Sequence, residues 1–324
     1  MRVGQVAGAS DPGRKRRRNE DSYVIDPPLF AVADGMGGAQ AGEIASKLAA
    51  SAVRSGDPGQ LEELIQEANR RVHQRSVEDS AASGMGTTLT VAEIVGERVS
   101  IGHVGDSRAY LVRDGSLEQL TQDHSLVAEL VRSGKLTPEE AEQHPQRSVI
   151  TRALGTDPDV DVDTFAVEPR TGDLFLLCSD GLTSMVDDRM IERLVEEKRG
   201  DLEGLVKALI RAANKGGGED NITVVAFEIA EGDLDAIDDT RTMHAVDRDA
   251  AEFDEDDTLT EADRVPAIDT MVVSVEDIAA AYDKTDEQTA KPKRRRRLSR
   301  VLALIVVLLA LVAITLALVW GLMR

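Results

Sequence analysis

Phe30 to Gly38 reads FAVADGMGG: four apolar residues, an aspartate, then a glycine-rich turn. That order describes a buried strand delivering Asp34 to a sharp bend. A carboxylate there can hold a cation, or it can simply close an Asp-Gly turn. The device recurs along the chain. LFLLCSDGL sets Asp180 after the apolar run Leu174 to Cys178, GGGEDNITVVAF sets Asp220 before another, and RRRNEDSY sets Glu20 and Asp21 before a short apolar strand. Four separate strand ends thus offer carboxylates, and no cluster of His or Cys accompanies them. All-oxygen donors suit magnesium or manganese, whereas zinc prefers imidazole or thiolate.

Period assigns the remaining elements. Alternation predicts strands over Val3–Gly8, Tyr23–Ile25, Thr87–Val95, Val99–Val104, Arg108–Val112, Leu117–Leu120, Val160–Val167, Leu174–Cys178 and Ile222–Ile229. Asp114-Gly115 marks a hairpin. Helical spacing marks Ile44 to Val53, Leu61 to Val72, Leu126 to Val131, Met190 to Glu196 and Leu202 to Ala213, with Asp57-Pro58-Gly59 separating the first two. Hairpins rather than strict strand–helix alternation favour antiparallel sheets in an α+β fold.

The motifs RRRNED, ADGMGG, GTTLTV, GHVGDSRAYLV, TQDHSLV, ITRALG, CSDGL and EDNITVV stand in this order between about residues 3 and 229. The set resembles that of the metal-dependent type 2C serine/threonine protein phosphatases, in particular their bacterial branch. The resemblance implies a helix-sheet-sheet-helix (αββα) sandwich of two antiparallel sheets with the metal site at one end. It implies two manganese or magnesium ions bridged by Asp34, one of them held by Asp180 and Asp220. Glu20 and the carbonyl of Gly35 then serve the other, and Asp21 supports the site. Arg16, five residues before Asp21, is the implied ligand of the substrate phosphate, amid the basic loop residues Arg14, Lys15, Arg17 and Arg18. Asp123 is either the ligand of a weaker third ion or the N-cap of the helix that begins at Leu126. Asp106 is read as ordering the strand turn or supporting the metal ligands from behind.

Hydrolysis of a phosphate monoester without a protein nucleophile needs hydroxide at neutral pH, and two cations about 3.5–4 Å apart supply it by acidifying a shared water. The implied activity is therefore attack of a metal-bridging hydroxide on phosphoserine and phosphothreonine in phosphorylated proteins, opposing a serine/threonine kinase. One departure stands out: where many eukaryotic relatives have a histidine after Asp-Gly, this chain has Met36. His103 and His124 are read as structural. The polar stretch from Arg132 to Gln146 resembles the family's flap over the site, with a helix starting at Thr137-Pro138. The alternative function is a catalytically weak pseudophosphatase that binds phosphoproteins, against which the intact Asp34, Asp180 and Asp220 argue.

Charge divides the 324 residues further. The net charge of −21 argues against nucleic acid as a partner and against a nuclease. The single cysteine, Cys178, excludes an internal disulfide and sits in an apolar strand as a core thiol. After the catalytic domain, 1–230, residues 231–290 carry 20 acidic against 4 basic residues, which predicts a disordered linker. Its acid-flanked threonines, DDTRT, DDTLT and IDT, are read as composition rather than as kinase sites. Residues 291–300 hold 7 basic residues, and 301–319 follow with no charge at all. At about 1.5 Å per residue the apolar run, extended to 323, spans a hydrocarbon core of about 30 Å. The expectation is a single-pass membrane anchor with the catalytic domain in the cytoplasm. The first thirty residues contain no apolar run of signal-peptide length.

Overall fold

Alternation along each strand decides what its two faces meet. In β3 (Leu29–Met36) Phe30 and Val32 face one apolar cluster while Ala31 and Ala33 face another. In β11 (Leu174–Cys178) Phe175 and Leu177 join the same cluster as Phe30, while Leu174, Leu176 and Cys178 join a third. Strands apolar on both faces must be covered on both. A computed structural model, which describes residues 2–37, 41–79, 82–230 and 271–272, has that arrangement.

One sheet runs β1 (Arg2–Asp11), β12 (Ile222–Ala230), β11, β7 (Arg108–Arg113), β8 (Ser116–Gln119). The other runs β10 (Asp163–Val167), β6 (Arg98–Val104), β5 (Leu89–Val95), β3, β2 (Asp21–Asp26), with the short β4 (Gly86–Thr87) also on β3. Neighbours within both sheets are antiparallel. Helices α1 (Ala41–Ser55) and α2 (Leu61–Glu78) cover the β3 sheet through Ala45, Ala49, Ile65 and Ala68. Helices α6 (Asp188–Lys198) and α7 (Leu202–Gly216) cover the other through Ile191, Leu205 and Leu209. Between the sheets Phe227 stacks on Phe30 at 4.0 Å and on Phe175 at 5.1 Å between ring centroids. Each fully buried ring contributes about 2–3 kcal/mol through its removal from water. The fold is the expected αββα sandwich.

Three details differ from the sequence expectation. The strand read as Thr87–Val95 is two pieces, β4 and β5, divided at Thr88. The strand read from Val160 starts at Asp163, because Val160 turns into the α1–α2 cluster and its carbonyl accepts a 2.5 Å bond from Gln66. A four-residue helix, α5 (Asp180–Thr183), follows β11 at once. The Asp114-Gly115 hairpin forms as read, both residues taking the positive φ of a type I′ turn, 53° and 84°.

Beyond β8 come α3 (Leu126–Arg132), α4 (Pro138–Glu142) and β9 (Val149–Ile150). Thr137 caps α4 in a capping box with Glu140, so the Thr-Pro helix start is as read. β9 pairs in parallel with β13 (Met271–Val272), a fragment of the segment read as a disordered linker. Among the described residues no helix is long and apolar enough to cross a membrane. The basic segment 291–300 and the apolar run 301–323 lie outside the described residues.

Candidate metal centre

Antiparallel pairing of β2 with β3 sets Asp21 opposite Asp34 at one end of the sheet. Asp34 is held by its backbone. Its N–H donates to Thr88 Oγ1 at 3.0 Å, and its carbonyl accepts from the Thr88 N–H at 2.8 Å and the Thr87 hydroxyl at 2.9 Å. These bonds explain the break in GTTLTV: Thr88 leaves the ladder to clamp the aspartate, and the Thr87 hydroxyl adds a bond from the end of β4. Thr88 Oγ1 also lies 2.8 Å from Ser107 Oγ, which ties the clamp to the turn bearing Asp106.

Two glycines are required by space. A Cβ on Gly35 would lie 2.0 Å from the Gly42 carbonyl oxygen and 2.5 Å from that of Glu20. One on Gly181 would lie 1.9 Å from the Asn221 carbonyl, so Asp180 can open α5 flush against the start of β12 only beside a glycine. The Glu20 carboxylate and the Gly35 carbonyl converge on Gly42, where an ideal Cβ would meet them at 2.6 and 2.8 Å.

Asp34, Asp180, Asp220 and Asp106 line one pocket of about 20 Å³ with Met36, Ser148 and Ile150. That volume admits a single water-sized guest. The Asp34 and Asp180 carboxyl groups both line this pocket. Burial, then the neighbouring carboxylates, hold Asp34 and Asp106 well above the usual carboxylate range and raise Asp180 to about 6. Asp21, 8% exposed, is raised by burial to about 7 although Thr223 Oγ1 and Ser179 Oγ donate to it at 2.6 and 2.9 Å. Glu20 is raised by burial, which Arg16 partly offsets.

This donor set fits divalent cations. Asp21 Oδ1 and Asp180 Oδ1 are buried without a hydrogen-bond partner, and a hard cation is what such oxygens lack. Among the described residues no three His, Cys, Asp or Glu side chains stand as a finished cage. Asp34 and Asp180 lie together in the pocket, and Asp220 is turned to Arg16, whose Nη2 donates to its Oδ2 at 2.8 Å. Arg14, Lys15, Arg17 and Arg18 are exposed around that guanidinium.

Of the two sequence readings of Asp123, the N-cap is the one the structure corrects. The N-cap of α3 is Ser125, whose side chain accepts from the Ala128 N–H. Asp123 instead accepts a bidentate pair of bonds from Arg108, at 2.9 Å to Oδ1 and 2.7 Å to Oδ2, and it is absent from the lining of the small pocket. Asp106, read from sequence as ordering its turn or supporting the ligands from behind, lines that pocket. Sequence reading missed Asn221, which accepts from the Glu20 N–H at 2.8 Å and donates to the Pro12 and Arg18 carbonyls at 3.0 and 2.9 Å, stapling the basic loop beside the acids. The signal was there in EDN, but it served only to locate Asp220.

The histidines are structural, as read. His103 bonds Thr90 Oγ1 at 2.9 Å and the Gln122 carbonyl at 3.1 Å, and burial lowers it to about 4. His124 Nδ1 accepts from the Gly105 N–H at 3.0 Å, which puts the ring proton on Nε2, 3.2 Å from Asp163. Burial pushes the Cys178 thiol up to about 12, so it is no nucleophile. Beside the small pocket lies an open groove of about 860 Å³, sharing Asp106 and Asp180 with it and walled by Arg132, Pro138 and Gln143 of the flap region.

Comparison with known proteins agrees with this geometry. Residues 17–223 match the model of the family described as protein phosphatase 2C. The serine/threonine phosphatase stp of Listeria monocytogenes is 42% identical over 236 residues, covering 68% of this chain and 93% of that protein. The serine/threonine protein phosphatase PstP of Mycobacterium tuberculosis is 37% identical over 314 residues, covering 94% of this chain and 59% of that protein. Its crystal structure superposes with a TM-score of 0.67 at 40% identity, covering 71% of this chain and all of that one. A structure of the PstP catalytic domain in complex with two manganese ions superposes with a TM-score of 0.64 at 37% identity, covering 71% and 99%. The chain belongs to the protein phosphatase 2C family.

Proposed function

We propose that this chain hydrolyses phosphoserine and phosphothreonine in phosphorylated proteins, with Asp34 shared between two cations, manganese or magnesium. The observation that carries the reading is the convergence of Asp34, Asp106, Asp180 and Asp220, from four distant stretches, on one pocket beside Arg16. Asp180 and Asp220 would hold one cation; Glu20 and the Gly35 carbonyl, with Asp21 behind them, would hold the other. When bound, such ions acidify a water enough to supply hydroxide at neutral pH. Arg16, with 32% of its side chain exposed, stands where its guanidinium can turn from Asp220 to a phosphate oxygen. Thr87 and Thr88 fix Asp34 before substrate arrives, and Asn221 fixes the loop that presents Arg16. Met36 and the inward-bonded His103 and His124 leave the proton for the departing alkoxide to solvent.

A weaker third ion, if bound, belongs with Asp106 rather than Asp123, because Asp106 shares the pocket and Asp123 is committed to Arg108. A phosphoprotein-binding pseudophosphatase is disfavoured, since Asp34, Asp180 and Asp220 are present and line one pocket. The opposing serine/threonine kinase and the membrane anchor are further parts of the proposal. Sequence supports the anchor: the charge-free run 301–319 behind 7 basic residues would hold the protein at the membrane with its catalytic domain cytoplasmic. The test is phosphate release from a phosphothreonine peptide with manganese and with chelator. Turnover with manganese alone is expected; equal turnover in chelator would overturn the mechanism.

A further inference from the structure

β9 is two residues long, yet it touches three things at once. Ile150 lines the acid pocket and bridges to Ser125, and the strand's remaining edge is taken by β13 in parallel register, Met271 with Val149 and Val272 with Ile150. In a parallel pair the N-terminal ends lie side by side. Met271 therefore begins where Ser148, itself a lining residue of the pocket, leaves off. A peptide strand on this edge presents the residue before its first paired position toward the site, and the pair itself along Val149 and Ile150. Strand addition to an open edge is an established way of holding extended peptides, with main-chain bonds giving affinity and neighbouring side chains giving preference.

We infer that the free edge of β9 is the docking strand for the two residues that follow the phosphorylated serine or threonine of a substrate, and that Met271–Val272 occupies it as a tethered competitor. This rests on the phosphatase reading above. The segment's own sequence fits the part: Asp269-Thr270 precedes the pair and Val273 follows it, so the occupant has the form acid, hydroxyl residue, apolar pair. The dephosphorylated hydroxyl form of such a sequence is what remains after turnover, so the resident strand has the chemistry of a bound product segment. Tethering sets its effective concentration high enough for a weak two-residue pairing to matter. An occupant seated about 90% of the time lowers apparent affinity for an outside peptide about tenfold.

The experiment uses the full chain and its double variant Met271→Pro/Val272→Pro, since proline cannot donate to the ladder. A fluorescent peptide of residues 266–276 is titrated by anisotropy onto each. Binding to the variant several-fold tighter than to wild type is expected, and equal affinities would overturn the inference. With phosphothreonine peptides the variant should show a several-fold lower KM at unchanged kcat, and the gain should be larger for phosphothreonine-Met-Val than for phosphothreonine-Gly-Gly. Constants for p-nitrophenyl phosphate, which has no strand to dock, should not change; an equal shift there would mean a general effect of the prolines and would overturn it too. If wild type and variant both fail on p-nitrophenyl phosphate with manganese, the phosphatase reading fails, while the anisotropy result still decides the docking strand.

Discussion

At the scale of single residues, the acids of this chain divide by what already satisfies them. Asp123 is paired with Arg108, whereas Asp106 is buried among other carboxylates with its pKa raised. Asp123→Asn should therefore cost stability, about 2 kcal/mol, because it leaves a half-buried guanidinium short of its partner. Asp106→Asn should leave Tm unchanged or raised in metal-free protein, since it removes a carboxyl group whose ionisation burial disfavours, while weakening the manganese dependence of turnover. Thermal melts and manganese titrations of the two variants check this; the opposite pattern would return the third-ion role to Asp123. The sequence exposed the acids but not this division, because TQDHS gives no sign that an arginine fifteen residues upstream will claim the aspartate. His103 carries a pH prediction. Its folded pKa, about 4, lies below the ordinary value of 6.5, so the neutral form is the one the fold accepts. Stability from this residue is full above about pH 6.5 and is lost as pH falls toward 4, by up to about 3 kcal/mol. Comparing the pH dependence of unfolding of wild type and His103→Gln isolates that contribution, which the variant should lack.

Among the elements, those with a long period were legible and those shaped by the site were not. Helices α1, α2, α6 and α7 and the strands β1, β6, β7, β11 and β12 fall where apolar spacing puts them, because each has a face to bury against a sheet or helix. The break at Thr88 was hidden because threonine has good strand propensity and Thr88 leaves the ladder only to bind the Asp34 backbone. Helix α5 was hidden by its length, four residues, and by a function that lies in aiming Asp180 rather than in burying a face. The start of α3 at Leu126 was legible but its cap was not: Asp123 and Ser125 are both good capping types, and only geometry tells that Ser125 closes the first turn. Ser125→Ala should destabilise by about 1 kcal/mol with kcat unchanged, measured by denaturant unfolding and steady-state kinetics; a loss of activity without loss of stability would tie Ser125 to the site instead.

For the whole molecule, alternation and hairpins pointed to antiparallel sheets, the resemblance of the motif set implied the αββα sandwich, and the two sheets close on Phe30, Phe175 and Phe227 in that sense. What pattern alone could not supply was convergence: Glu20, Asp34, Asp180 and Asp220 are distant in the chain, and only the antiparallel register brings them to one end. The proposed tail makes a separate prediction. Full-length protein should sediment with membranes after lysis, and deletion of 301–324 should release it in active form, since every proposed ligand lies at or before Asp220; full-length protein that stays in the supernatant would contradict the anchor. The central claim is that the carboxylate pocket holds the cations on which turnover depends. It is tested most directly by titrating manganese into metal-free wild type and Asp34→Asn, following bound metal by calorimetry and phosphopeptide hydrolysis in the same samples. Hydrolysis in wild type should rise with occupancy of two sites, and Asp34→Asn should lose both tight binding and, by orders of magnitude, turnover. Turnover that survives in Asp34→Asn, or appears in wild type before metal binds, would contradict it.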